Sequence, residues 1–412
     1  MNILLDKAFY IANKEKLLSY FFVFTIFTKG LVVYPDDLGF GIEWYSFIVI
    51  SVLFLFLRLT RLELAKASFL AASVLVLNII AVSFMNHSYL LLLKQFIPIV
   101  VVYTASYAFF KKVDLVKIFE IYVKISIIVC CLGLLQFILQ ICGFSIYVAA
   151  TGRINSIIPE PSHLAIVIIP AFCYMYSREG IFNIKTLIVL ATIIGTFSAT
   201  AYLTLFIFFA IKNFNPCTFK FYVILIFLGG LSVLSYLISD EVKYRIDDVV
   251  AYSKSGSLEK ANATTFSAFS NLKVAAFSLN NNPFLGSGLG NHEEAYLEYF
   301  EGANSGILRR YGLNMQSGHS LFIRVLSETG VVGMVLVLFF FYKFRITGEN
   351  NIYSIISLAS LMYFIGRIFK LGGYFDYGIY FFALSYLFAY SCCQCHEIKR
   401  SECTLSEFSA NK

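Results

Sequence analysis

Apolar residues along the chain gather in long blocks, and the polar and basic residues fall in short gaps between them. A window of about 19 residues crosses ~30 Å of hydrocarbon. Read that way, the blocks predict twelve helices, at 17–34, 44–57, 68–85, 89–110, 115–142, 163–177, 185–197, 199–211, 219–238, 319–342, 352–369 and 378–395. The seventh and eighth together are 27 residues, which fit either one long tilted helix or two short ones turning at Ser198. Charge favours the split. With a cytoplasmic N-terminus and twelve spans, the basic clusters stay inside, and the short outside loops hold only Arg153, Arg367 and Lys370.

Composition agrees with a polytopic membrane protein. Of 412 residues, 59% are hydrophobic and 14% charged, against about 25% charged in a soluble domain. This excludes a soluble enzyme, a disordered chain and a secreted disulfide scaffold. The net charge of +7 sits in the gaps and not in a basic run with interleaved aromatics, so it reads as membrane orientation and not as nucleic-acid binding. Lys7, Lys14 and Lys16 precede the first block, with no small-residue cleavage site after it, which predicts an uncleaved signal-anchor. None of the nine cysteines falls in an outside loop, so no structural disulfide is implied. The tract Ser391–His396 has no tetrahedral zinc spacing.

The predicted organisation is nine helices over 1–238 with an outside loop at 143–162, an outside loop of 80 residues over 239–318, three helices over 319–395, and a cytoplasmic tail over 396–412. The long loop carries seven Lys/Arg and nine Asp/Glu. Its mildly amphipathic stretch 262–280 fits a short helix on the membrane surface.

Three outside segments carry candidate chemistry. In the first, 151–163, Ser162 is a possible helix cap, Pro159 and Pro161 stiffen the entry, and Glu160 suits a helix N-terminus. Arg153 has no such structural reason, and a guanidinium there suits bidentate phosphate binding. In the second, 316–330, Ser317 is a good N-cap that would set His319 in the first helical turn, where the helix dipole keeps imidazole neutral. Arg324 and Glu328 are i, i+4 neighbours, either a helix-locking ion pair or part of a site. The third, Asn282 to Asn291, is glycine-rich but lacks a preceding strand and a P-loop lysine, so it reads as a turn bringing backbone close to a sugar or phosphate. Arg245, Arg309 and Arg310 are further phosphate candidates. Asp36 and Asp37 read as a solvated turn before a cation site, and Lys29, Lys94 and Lys124 fit snorkelling or function alike.

Taken in order, Arg153 with Glu160-Pro161-Ser162, the long loop with Asn282-Pro-Phe-Leu-Gly-Ser-Gly-Leu-Gly-Asn291, and His319-Ser320 followed by Glu328-Thr-Gly-Val-Val-Gly333 resemble the O-antigen polymerase and O-antigen ligase superfamily over residues 140–345. Glu-Pro-Ser and His-Ser are closer to polymerases than to ligases. The resemblance implies a metal-independent, cofactor-free glycosyltransferase of the multi-helix GT-C type in a bacterial inner membrane, with both termini cytoplasmic and a periplasmic active site. Its donor and acceptor would be oligosaccharides on undecaprenyl pyrophosphate, and a chain-length regulator and a flippase would be partners. His319 would be the base, with Glu160 the second choice. Arg153, with Arg245 or Arg309 and Arg310, would stabilise the leaving diphosphate. Arg324, Glu328 and Asn291 would position substrate. An O-antigen ligase and a lipid-linked sugar transporter are the competing readings; a transporter would place its coupling groups near the midplane.

Overall fold

The computed structural model describes residues 16–28, 59–144, 152–212, 229–230, 236–237, 240–255, 258, 261–301, 310–346 and 351–410. The expected spans at 44–57 and most of 219–238, together with Lys29, Asp36, Asp37 and Arg309, lie outside them. The described chain is all helix, without strands. In order the helices are α1 (Lys16–Phe27), α2 (Arg61–Met85), α3 (Tyr89–Phe110), α4 (Leu115–Ile141), α5 (Pro161–Glu179), α6 (Ile184–Gly195), α7 (Ala199–Lys212), α8 (Asp240–Ser255), α9 (Ala263–Asn281), α10 (His292–Tyr299), α11 (Leu321–Lys343), α12 (Ile352–Phe369) and α13 (Ile379–Ala410).

Five of these, α2, α3, α4, α11 and α12, are long and apolar enough to cross a bilayer; α1, α6, α7 and the first half of α13 are shorter apolar helices. Together they mark a membrane protein. On α2 the apolar side chains point outward on several faces, with Phe69 77% exposed, as expected of a helix bathed in hydrocarbon. Local chemistry sets the ends. Thr60 and Glu63 form a capping box on α2, Asp114 and Asn351 cap α4 and α12, and Asn86 closes α2 in the left-handed conformation.

The core is built on α5, which packs against α4, α6, α7 and α12 and buries 14 of its 19 residues. Pro170 interrupts its hydrogen-bond ladder. The Tyr122 hydroxyl of α4 enters the gap, donating to the Val167 carbonyl at 2.6 Å and accepting from the Ala171 N–H at 3.2 Å. α12 in turn packs on α13 and α11. Residues 184–212 are two helices turning at 196–198, so the split is correct.

Two expectations need correction. The helix after Gly318 begins at Leu321 with Ser320 as its cap, not Ser317, so His319 precedes the helix. Residues 263–281 do form a helix, but it is packed along α11 and α10, with Thr265, Phe266, Asn271 and Ser278 buried. The α13 backbone continues helical past residue 395 to Ala410.

Candidate functional site

The end of α4, the start of α5, the α6–α7 turn, the start of α11 and the α12–α13 connection all meet at one end of the bundle. The α2–α3 turn joins them through His87, whose Nδ1 lies 3.2 Å from the Ser287 carbonyl and whose Nε2 lies 3.1 Å from Glu298.

Arg153 stands on a loop that turns back into this end. Ser156 donates to the Val129 carbonyl at 2.7 Å, and Ile154 fits against Gly133 and Gly195, where any Cβ would collide with it. Val129 and Gly133 lie 12 and 8 residues before the end of α4, so the loop dips roughly 12–18 Å. Irregular backbone at such depth is tolerated only when buried in protein. Arg153 is itself buried. Its Nε donates to the Thr196 carbonyl at 2.9 Å and its Nη2 to that of Phe197, so it ties the loop to the C-terminal end of α6. The structural reason missing from the sequence is therefore present.

Glu160, the backbone cap of α5, bonds to no helix N–H. Ser162 does not cap the helix either; it donates to Glu160 Oε1 at 2.7 Å. Glu160 Oε2 lies 2.9 Å from His163 Nε2, and the Lys370 ammonium donates to Oε1. Burial raises the Glu160 pKa, but the hydrogen bond and charge of His163 and the charge of Lys370 outweigh it, so the carboxyl stays well below its usual range. His163 Nδ1 continues to the Tyr377 hydroxyl at 3.2 Å.

His319 joins this group from the other side. It is 7% exposed and holds a left-handed φ of 63°. Burial first, then the charge of Lys370, lowers its pKa to about 4, with Glu160 opposing. The ring is neutral for these reasons and not because of a helix dipole. Its Nδ1 lies 3.0 Å from Ser267 Oγ, which accepts from Asn314 at 2.8 Å.

A buried polar chain runs on from Ser267. Asn271 donates to the Ser267 and Leu313 carbonyls, which leaves its Oδ1 facing His292 Nε2 at 2.8 Å. That nitrogen therefore carries the proton, and Nδ1 accepts from Ser327 at 2.8 Å. His292 is fully buried; burial, aided by Arg324, lowers its pKa to about 3.

Arg324 and Glu328 form the expected ion pair at 3.0 Å, with Glu328 fully buried. Arg324 also donates to the Gly372 carbonyl and to Gln95 Oε1, and it stacks on Tyr374 at 4.6 Å. A cavity of about 340 Å³ opens beside it. Its wall is shared with the α12–α13 connection, whose Gly372 presses on the Ser317 backbone. Arg367 organises that connection, donating to Leu371, Gly373, Asp376 and the Tyr363 hydroxyl.

The glycine-rich segment brings backbone close to other backbone over most of its length, and its Gly290 also lines the cavity beside Arg324. α11 breaks at Gly330 (φ 60°), and the freed groups are satisfied across the gap. Ser287 and Gly288 donate to the Ser327 and Glu328 carbonyls, and Val331 and Val332 donate to Pro283 and Phe284. A Cβ on Gly286 would lie 2.3 Å from the Ser327 oxygen. Asn291 is buried nearby, with its Nδ2 on the Leu289 carbonyl.

The fold thus unites His319 with Glu160, and Arg324 with Glu328. It turns Arg153 onto the α6–α7 turn and Arg310 onto the Ala261 carbonyl. Arg245 lies on α8, its side chain outside the described residues. Sequence reasoning passed over His163, Lys370 and His292. The first follows the Glu-Pro-Ser motif, the second is one of only two basic residues in the last outside loop, and the third directly follows Asn291. No group of three or more potential metal ligands occurs among the described residues. No family model matches the chain, and no curated protein matches it.

Proposed function

We propose that the chain is an O-antigen polymerase, a membrane glycosyltransferase that joins undecaprenyl-pyrophosphate-linked oligosaccharide repeats at the periplasmic face of the inner membrane. The observation that carries this reading is the neutral His319 imidazole. It is oriented by Ser267 and grouped with Glu160, His163 and Lys370 at one end of an apolar helix bundle.

In the reaction the acceptor hydroxyl attacks the anomeric carbon of the donor, the bond from that carbon to the diphosphate breaks, and the diphosphate leaves on its lipid. His319 Nε2 takes the hydroxyl proton. Its Nδ1 faces a hydroxyl that already accepts from Asn314, so Nδ1–H can donate to Ser267 and leave Nε2 with its lone pair. Lys370, a cation beside His319, supplies charge to the leaving group once Glu160 yields it. Arg153 contributes by holding the loop that carries Glu160. No metal enters these steps.

The test is polymerisation by the purified protein of one defined carrier-linked repeat, with and without chelator. Ladder formation indifferent to chelator supports the reading. Transfer of glycan only onto lipid A-core would replace it with a ligase, and movement of the carrier-linked repeat across the bilayer without bond formation would replace it with a transporter.

A further inference from the structure

The cavity beside Arg324 is chemically unlike the His319 group. Two cations, Lys94 and Arg324, and two anions, Glu293 and Asp376, line it, so its formal charge sums to zero. Arg324 is already bound to Glu328, and Asp376 to Arg367. A diphosphate placed here would find no surplus of positive charge to replace its lost hydration.

The cavity does hold unused hydrogen-bonding capacity. Gln95 accepts from Arg324 through Oε1, while its buried Nε2 donates to nothing. The Tyr374 hydroxyl and Glu328 Oε2 face each other, near enough to pair weakly with one another, and neither has another hydrogen-bond partner. Gln95 and Tyr374 line the space directly, and Glu328 lies under Arg324. Buried polar atoms are normally paired, so an unpaired amide donor beside a weakly satisfied hydroxyl–carboxylate pair, all at one cavity, signals a missing partner. The groups on offer are a neutral donor, a hydroxyl able to do either and a carboxylate acceptor, beside the aromatic surface of Tyr374 and Phe375. A volume of about 340 Å³ is at the small end of ligand pockets, ~300–1,000 Å³.

We propose that this cavity binds an uncharged pyranose ring, whose hydroxyls satisfy Gln95 Nε2 and the Tyr374–Glu328 pair and whose C–H face lies on the aromatic wall. Its assignment as the seat of the acceptor sugar rests on the polymerase reading; its preference for a neutral sugar over phosphate does not.

The test is saturation-transfer NMR on the full chain in lipid nanodiscs free of sugar detergents. The probes are the methyl pyranosides of glucose, galactose, mannose, rhamnose and N-acetylglucosamine. At least one should receive saturation from the protein, and equimolar inorganic pyrophosphate should leave that signal unchanged. Gln95→Leu and Tyr374→Phe each remove one polar group at nearly constant shape and should weaken binding about threefold to tenfold, the loss of one hydrogen bond. To separate binding from folding, each variant is compared with wild type at a temperature equally far below its own melting point. Binding of no methyl pyranoside, displacement by pyrophosphate, or unchanged affinity in both variants overturns the proposal. Sugar binding by a protein that fails to polymerise carrier-linked repeats would sink the polymerase reading and leave this inference standing.

Discussion

Two buried arginines stand on either side of the α12–α13 connection, and their surroundings differ. Arg367 is fully buried, and its Nε, Nη1 and Nη2 nitrogens all donate, to three carbonyls of its own connection, the Tyr363 hydroxyl and the Asp376 carboxylate at 2.6 Å. Arg324 is also buried and paired, but beside it Gln95 Nε2 is left over, and the Tyr374 hydroxyl and Glu328 Oε2 have only each other. A buried charge whose neighbourhood is fully satisfied is a fastening. One whose neighbours are left unsatisfied next to a cavity is a place for something else to bind. Burial alone does not separate the two; the accounting of donors and acceptors does.

The largest effect should come from breaking the fastening. Arg367→Ala removes the guanidinium that pairs with the buried Asp376 carboxylate and frees three carbonyls, and should cost about 3–5 kcal/mol of stability. A melting temperature near wild type would erase the distinction between the two arginines. Next is His319→Ala, which should lower turnover at least about a hundredfold while the melting temperature is retained. In the wild type the rate should be level from neutral pH down to roughly pH 5 and fall below it, because a base with a pKa of about 4 becomes protonated only there. A decline that begins near pH 6.5 would mean that the ring is not desolvated as described.

Arg153→Lys should be milder. The ammonium cannot reproduce the fork to Thr196 and Phe197, so stability should fall by about 1–3 kcal/mol, with shorter glycan chains following from a loosened Glu160 loop. Lost activity at unchanged stability would instead assign the guanidinium to the diphosphate. The smallest effect on stability belongs to the double variant Arg324→Met with Glu328→Gln. Removing both charges together should leave stability within about 1 kcal/mol of wild type, while methyl pyranoside binding is lost. A collapse equal to that of Arg367→Ala would place Arg324 among the fastenings.

Much of the helical layout was legible from hydropathy. α3 and α12 have the expected ends at 89–110 and 352–369, and the turn at 196–198 falls where the charge pattern divides the 27-residue block. The Arg324–Glu328 pair follows from helical spacing. Other features depend on partners far apart in the chain. α5 is the most enclosed helix yet not among the five most apolar long ones, because a helix surrounded by protein needs shape more than hydrophobicity. The inward dip of residues 152–158 is set by glycine notches on α4 and α6, which no hydropathy window registers. The cap of α11 shifted from Ser317 to Ser320 because Gly318 and His319 take left-handed backbone to pass under Gly372.

From the sequence alone, the chain's order fixes a bundle of apolar helices, because periodic burial and helix caps are local or nearest-neighbour properties. It also nominates His319 and Glu160. Only the tertiary structure joins Lys370 and His163 to them, turns Arg153 away onto the α6–α7 turn, and leaves Gln95 and Tyr374 facing a cavity. Those outcomes depend on which donors and acceptors remain after residues hundreds of positions apart have paired, and that sum exists only once the chain is folded.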